Sequence, residues 1–245
     1  MSQPQYNKHL VIFDFDDTII DGNSDAEVNS MHPRPIPDEI TQIGITHNGS
    51  IDFKVALFAS LQQLGVTIDQ IKDKVINLPF VPGMKELLDY LHSLEDLELI
   101  ILSGANTLFV RWYLDAMGIN GVSQILSNFA EVKDGRLVVR CHHNQTWCHM
   151  CSKNLCKGRL LENLIQERTK SGVSHLSVLY FGDGKNDFCP TLKLSEHDVV
   201  FPRHDFPLHK LIMQNSSDVK AKLFSWKSGF EVIEIFKKKL FIHWA

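Results

Sequence analysis

No stretch of this sequence is long and apolar enough to read as a membrane span or a secretory leader. Met1 to Lys8 is polar, and the first apolar run, Leu10-Val11-Ile12-Phe13, breaks at once into carboxylates. Cysteine is scarce. Five residues, an odd number and clustered, do not make the disulfide framework of a small secreted domain. Neither charge dominates: 25 Lys and Arg against 29 Asp and Glu leave a net charge of −4, with no general attraction to nucleic acid. Basic clusters are short, and Lys237-Lys238-Lys239 reads as the polar face of a closing helix. Internal repeats and low-complexity segments are also missing. The expectation is an intracellular, cytoplasmic globular protein with neither a membrane nor a nucleic-acid partner. At 245 residues it has length for one sizeable core with a smaller attached lobe.

What is present is an alternation of helix and strand. Leu10 to Phe13 reads as a buried strand, and it delivers Asp14-Phe15-Asp16-Asp17-Thr18 at its carboxyl end. Ser24 or Asp25 is placed to cap a short helix from Ala26, and Pro33, Pro35 and Pro37 then forbid a continuous one. From about Asp38 to Asn77 the pattern is helical, with Phe53, Leu57, Leu61 and Leu64 on one face. Pro79-Phe80-Val81-Pro82-Gly83 marks the return to the main body. A helix follows over Met84 to Leu94, and then the strand Leu97 to Leu102 runs into Ser103-Gly104-Ala105-Asn106. Thr107 to Met117 predicts a helix stopped by Gly118, Gln124 to Ser127 a short strand, and Glu131 to His143 a hairpin about Asp134-Gly135. A helix over Gly158 to Lys170 leads to the strand Leu176 to Phe181, which ends in Gly182-Asp183-Gly184-Lys185-Asn186-Asp187. Asp198 to Phe201 reads as a last strand and Phe230 to Leu240 as a terminal helix.

This order predicts an α/β fold: a doubly wound, mostly parallel, Rossmann-like sheet with a small helical insertion after the first strand. Parallel strands open their carboxyl ends on one edge, so Asp14, Asp16, Ser103 and Asp183 can meet there although distant in sequence. Like charges about 4 Å apart repel by on the order of 4 kcal/mol at an effective dielectric of 20. Gathered carboxylates must therefore be protonated or bind a cation. Oxygen ligands without histidine favour Mg²⁺. A hydroxyl, a lysine, a glycine-containing turn and a divalent metal suit phosphoryl transfer, in which an aspartate can be the nucleophile.

Asp14-Phe15-Asp16-Asp17-Thr18, Ser103, Lys157 and Gly182 to Asp187 resemble, in order and context, the four motifs of the haloacid dehalogenase superfamily of phosphatases. The resemblance narrows through Asp21-Gly22-Asn23-Ser24-Asp25, Cys148-x-x-Cys151 continuing to Lys157, and Asp187-Phe188-Cys189-Pro190. These are similar to the branch that holds phosphoethanolamine/phosphocholine and pyridoxal phosphate phosphatases. Phe201-Pro202-Arg203 and Trp226-Lys227-Ser228-Gly229 extend it over nearly the whole chain.

The resemblance implies a Mg²⁺-dependent phosphomonoesterase for a small phosphorylated metabolite, working through an aspartyl-phosphate. Asp14 would be nucleophile and metal ligand, and Asp16 the general acid and then base, with its carbonyl on the metal. Ser103 and Lys157 would hold the phosphoryl group, Asp183 would ligate the metal directly, and Asp187 would support it from behind. Thr18, Asp25, Gly104 and Asn106 are the implied substrate-binding positions. Residues 1–21 and 81–245 would form the catalytic core, and 22–80 a helical cap. In that branch an Asp usually follows the motif serine, suited to a substrate amine, whereas Gly104 stands here. Pyridoxal phosphate is therefore favoured over phosphoethanolamine or phosphocholine. Thiamine monophosphate and a non-catalytic, metabolite-binding member of the fold stay open as alternatives. Two readings stay open for Cys148, Cys151 and Cys156: a zinc site with His142, His143 or His149, or reduced thiols packing a loop.

Overall fold

In the computed structural model, residues 6–46 and 51–240 are described. The central strand β1 (Tyr6–Phe13) is followed by α1 (Ser24–Asn29), α2 (Asp38–Thr46), α3 (Ile51–Gln63) and α4 (Ile68–Ile76). The chain returns through α5 (Met84–His92), β2 (Leu97–Asn106), α6 (Thr107–Ala116), β3 (Val122–Lys133) and β4 (Arg136–Arg140). After α7 (Lys157–Lys170) and β5 (Val173–Gly182) come α8 (Phe188–Thr191), β6 (Val199–Pro202), α9 (Pro207–Gln214), β7 (Lys222–Leu223) and α10 (Gly229–Ile235). The seven strands form one sheet in the order β4-β3-β2-β1-β5-β6-β7, and only the β3–β4 pairing is antiparallel. This is the doubly wound architecture that the alternation predicts.

Successive residues of a strand face opposite sides, and both sides are buried here. Val11 and Phe13 belong to a cluster completed by Leu87 and Leu91 of α5, Val110 of α6 and Val232 of α10. Leu10 and Ile12 belong to another, with Leu161 and Leu164 of α7 and Leu208 of α9. Phe13, Phe181 and Phe201 stack across three neighbouring strands at ring separations of 4.2 and 4.3 Å. Asp14 N–H donates to the Phe181 carbonyl at 2.9 Å, so the first acidic turn leaves the sheet in register with the end of β5.

Local differences from the sequence reading have identifiable causes. The helix α1 begins at Ser24 rather than at Ala26, so Ser24 and Asp25 lie inside it and Asn23 is the cap, its side chain accepting from Ala26 N–H. The helical run after Asp38 is three helices, and residues 47–50 within it lie outside the described residues. Thr67 and Gln70 begin α4 with a reciprocal capping box. The short strand expected at Gln124 to Ser127 is the middle of the twelve-residue β3, whose later half pairs with β4. Helix α9, amphipathic but only eight residues long, and the two-residue strand β7 have no counterpart in the sequence expectations. Helices α1 to α4 share one apolar cluster with Phe109 of α6 and with Ala130, Leu137 and Val139 of the hairpin. Among the described residues no single helix is long and apolar enough to cross a membrane.

Candidate active site

A cleft of about 270 Å³ opens at the carboxyl ends of β1, β2 and β5. Asp14, Asp16, Asp25, Ser103, Gly104 and Asp183 all line it. Beneath them Lys157, at the start of α7, is fully buried. Its ammonium donates to Asp14 Oδ2 at 2.5 Å and to Asp187 Oδ1 at 2.7 Å. Both Asp187 oxygens are engaged further. Tyr180 Oη–H donates to Oδ1 at 2.6 Å, while Asp183 N–H and Gly184 N–H donate to Oδ2 at 3.2 and 2.9 Å. A Cβ on Gly182 would stand 2.5 Å from the Asp187 carboxyl carbon, so only glycine permits this approach. With its oxygens so occupied, Asp187 is suited to orient Lys157 and the turn.

The remaining carboxylates are electrostatically uncomfortable. Burial pushes Asp14 up to about 6 despite the pull of Lys157. Burial, and then the neighbouring Asp25, push Asp16 up to about 7. Asp183 is pushed up to about 9 by burial and by Asp14 and Asp187. For Lys157, burial opposes the charge, but the two carboxylates more than offset it and hold its pKa above the ordinary value. Carboxyl oxygens of Asp14, Asp183 and Asp187 lie within 4.8 Å of one another, with no histidine or thiol among them. An all-oxygen set with excess buried negative charge fits a hard divalent cation.

Ser103 is buried, and its Oγ accepts from Ala105 N–H at 3.2 Å, which leaves the hydroxyl proton for a ligand in the cleft. Two implied substrate positions do not reach the cleft. Thr18 is fully buried and its hydroxyl donates to Asp183 Oδ1 at 3.3 Å, so it holds an acid and is not among the cleft residues. Asn106 is also fully buried, and its Oδ1 accepts from Leu108 and Phe109 N–H as the cap of α6. The Thr18 hydroxyl and Asn106 Oδ1 are thus engaged beneath the site, while Asn106 Nδ2 is buried without a hydrogen-bond partner among the described residues. Gly104 lines the cleft, and its carbonyl accepts from Lys54 at 3.1 Å and from Asn128 at 3.0 Å.

Lys54 and Tyr180 carry no local sequence signal, and Asn154 and Arg203 stand only within stretches that carry the family resemblance. Lys54 of α3 pairs with Asp25 and lines the cleft. Tyr180 points its hydroxyl from a core strand to Asp187. Asn154 lines the cleft, and its Oδ1, like Asp25 Oδ1, is buried without a hydrogen-bond partner among the described residues. Arg203, which the sequence marks only within Phe201-Pro202-Arg203, donates to the Asp17 carbonyl at 2.7 Å and to Asp21 at 2.6 Å. It thereby ties the first acidic turn to the end of β6.

Comparison with known proteins agrees with this geometry. A family model described as Putative Phosphatase matches residues 9–240. The pyridoxal phosphate phosphatase of Mus musculus is 36% identical over 233 residues, spanning 92% of this chain and 96% of its own. The phosphoethanolamine/phosphocholine phosphatase of Gallus gallus is 31% identical over 251 residues, spanning 98% of this chain and 93% of its own. Among solved structures, phosphoserine phosphatase in its apo form superposes with a TM-score of 0.60 at 17% identity, over 94% of this chain and 98% of that one. That last likeness is one of fold.

Proposed function

The chain belongs to the Putative Phosphatase family of haloacid dehalogenase-type phosphatases, and from that premise we propose that it hydrolyses a small phosphorylated metabolite, pyridoxal phosphate being favoured, through an aspartyl-phosphate on Asp14. The observation that carries this reading is the buried Asp14–Lys157–Asp187 chain with Asp16 beside it on the same cleft. Lys157 fixes the Asp14 carboxylate, and Phe15 N–H donates to its other oxygen at 2.7 Å, so the nucleophile is oriented from both sides.

Asp14 attacks phosphorus as the ester bond to the leaving alkoxide breaks, and Asp16 gives that alkoxide its proton. Asp16 then takes a proton from water, which attacks the aspartyl-phosphate, releasing phosphate and restoring the Asp14 carboxylate. A carboxyl poised at about 7 holds both forms near neutrality, as a group that must first donate and then accept requires. Ser24 N–H donates to Asp16 Oδ1 at 2.8 Å and sets its direction. Ser103 donates to a phosphoryl oxygen. Asp14, Asp183 and the Asp16 carbonyl would hold Mg²⁺, whose charge would be available to neutralise the phosphoryl oxygens.

The leaving group lies toward Asp25, Lys54 and Asn154. Lys54 already answers the charge of Asp25, so this wall does not call for a substrate ammonium. It combines a donor, Lys54, with the carboxylate of Asp25 and the amide of Asn154, whose Oδ1 atoms are buried without a partner among the described residues. A pyridoxal ring, with donating and accepting groups around its rim, suits that mixture better than a choline or ethanolamine head. Residues 22–80 act as the cap, closing over the cleft and excluding bulk water while the phosphoenzyme exists.

The test is phosphate release from pyridoxal phosphate, thiamine monophosphate, phosphoethanolamine and phosphocholine, with and without Mg²⁺. Pyridoxal phosphate should give the highest kcat/KM, only with the metal. Undiminished turnover in Asp14→Asn would refute the intermediate, and undiminished turnover in a chelator would refute the metal's role.

A further inference from the structure

Behind the phosphoryl site lies a group of four thiols that the reaction does not use. Cys148, Cys151, Cys156 and Cys189 bring their sulfurs within 4.8 Å of one another, and all four are unbonded thiols. Cys189 is the member that sequence spacing could not supply. The sheet delivers it, because α8 follows the turn at the end of β5 and packs under the start of α7. The separations Cys148–Cys189 and Cys156–Cys189 are 3.6 and 3.9 Å. A tetrahedral zinc with bonds of about 2.3 Å to sulfur sets its ligands about 3.8 Å apart.

From this geometry we propose that these four cysteines bind a structural zinc ion. The histidines that stand beside the cysteines in sequence are not part of the site. His143 Nε2 accepts from Cys156 N–H at 2.8 Å, His142 Nδ1 is bound to the Ser127 carbonyl at 3.1 Å, and His149 is exposed. The set is closed: Cys151, Cys156 and Cys189 are buried, and four sulfurs leave no position for substrate.

Backbone donors face two of the sulfurs. Gly158 N–H points to the Cys189 sulfur and Arg159 N–H to that of Cys156, so the first turn of the fourteen-residue α7 addresses the cluster. A Cβ on Gly158 would meet the Cys189 sulfur at 2.6 Å. Arg159, Lys193 and Glu162 line the adjoining groove, and because both cations pair with the one carboxylate they leave a single net positive charge beside the cluster. Gln145, itself buried, accepts from Cys148 N–H and donates to the carbonyls of Cys148, Cys151 and Ser152, holding the loop in its ligating shape.

The placement gives the zinc a task. Cys156 precedes Lys157, and Cys189 lies two residues beyond Asp187, so one ion ties together the two segments whose side chains meet at 2.7 Å under the nucleophile. The loop between Cys151 and Cys156 also carries Ser152 and Asn154 into the cleft wall. Zinc would therefore brace Lys157, Asp187 and one side of the substrate site without touching substrate. Each thiol gives up its proton on binding, so four protons leave as one Zn²⁺ enters.

The experiment is elemental analysis of the full-length protein, purified without a metal-affinity step, together with X-ray absorption at the zinc edge to identify the ligand atoms. One zinc per chain in an all-sulfur shell is expected, and a zinc chelator should lower the thermal midpoint. Cys189→Ser should lose stoichiometric zinc, whereas His149→Ala should keep it. Because Cys189→Ser can also unfold the chain, proton release on zinc addition to wild-type apoprotein is measured by calorimetry in two buffers. No bound zinc, iron in its place, a Cys148–Cys189 disulfide, nitrogen in the zinc shell, or full zinc content in folded Cys189→Ser would overturn the proposal.

Discussion

Replacing Lys157 by methionine removes a buried charge while keeping most of the side chain's volume. In the native protein its ammonium is shared between Asp14 at 2.5 Å and Asp187 at 2.7 Å, and it is fully buried. Removing one partner of such a pair costs about 3–5 kcal/mol, because the other charge stays buried without an answer. The size should depend on pH. Asp14 is raised from 3.8 to about 6 even with Lys157 present, and losing that pull raises it further. A carboxyl whose folded pKa exceeds its unfolded value contributes stability that is complete below the unfolded value and lost as pH rises through the folded one. Each tenfold weakening of the acid costs about 1.4 kcal/mol once the group must ionise. The variant's deficit should thus be about 4 kcal/mol near pH 8 and at least about 1 kcal/mol smaller near pH 5. Urea unfolding of both proteins at the two pH values, in chelator, measures it. Adding Asp187→Asn should return part of the loss. A deficit below about 1 kcal/mol, or one that is the same at both pH values, would refute the assignment of Lys157 as the counter-charge of Asp14.

Other outcomes follow from the same site. Asp14→Asn should abolish phosphate release while leaving the fold, as far-ultraviolet circular dichroism would report. Gly104→Asp should raise kcat/KM for phosphoethanolamine relative to pyridoxal phosphate; an added Cβ there meets only Asn186 Nδ2 at 3.7 Å, so the change is sterically mild. Lys54→Met should act in the same direction by freeing the charge of Asp25, and unchanged relative kcat/KM in both variants would refute the role given to this wall. Asp183 is raised to about 9, so metal-free protein should gain stability as pH falls from about 9 toward 6, and the increment in thermal midpoint on adding Mg²⁺ should grow in the opposite direction. A metal increment independent of pH would contradict the cation site.

The sheet, and the meeting of Asp14, Asp16, Ser103 and Asp183 on one edge of it, are legible in the sequence because strands announce themselves locally. Leu10 to Phe13 and Leu176 to Phe181 are apolar runs that end in polar turns, and parallel pairing then fixes which ends share an edge. What the sequence conceals is which polar side chains of those turns face inward. Thr18 and Asn106 stand beside chemical residues in sequence, yet one restrains Asp183 and the other caps α6. The direction of a turn residue depends on the orphaned donors around it, and those exist only once the chain is folded. Lys54 and Cys189 are hidden for the converse reason. Lys54 lies on a helix with no local motif, Cys189 sits in Asp187-Phe188-Cys189-Pro190 far in sequence from the other cysteines, and each reaches its partners only through tertiary packing. Helix α9 and strand β7 are hidden by brevity.

The placement of cations explains how so many acids are tolerated on one edge. Lys157 answers Asp14 and Asp187, Lys54 answers Asp25, and Arg203 answers Asp21 while binding the Asp17 carbonyl. Asp16 and Asp183 have no such ion pair among the described residues, and they are the carboxyls raised to about 7 and about 9. Those two are also the ones for which an internal cation would be harmful. A lysine on Asp16 would hold it ionised and prevent proton donation to the leaving group, and a lysine on Asp183 would occupy the oxygen a metal needs. Asp14, proposed both as nucleophile and as metal ligand, is paired with Lys157 through one oxygen, so among the described residues Asp16 and Asp183 are the proposed reacting acids left without a cation. Burial and like charge raise Asp14, Asp16 and Asp183 together, so a ligand that relieves this edge would also stabilise the turns that hold it.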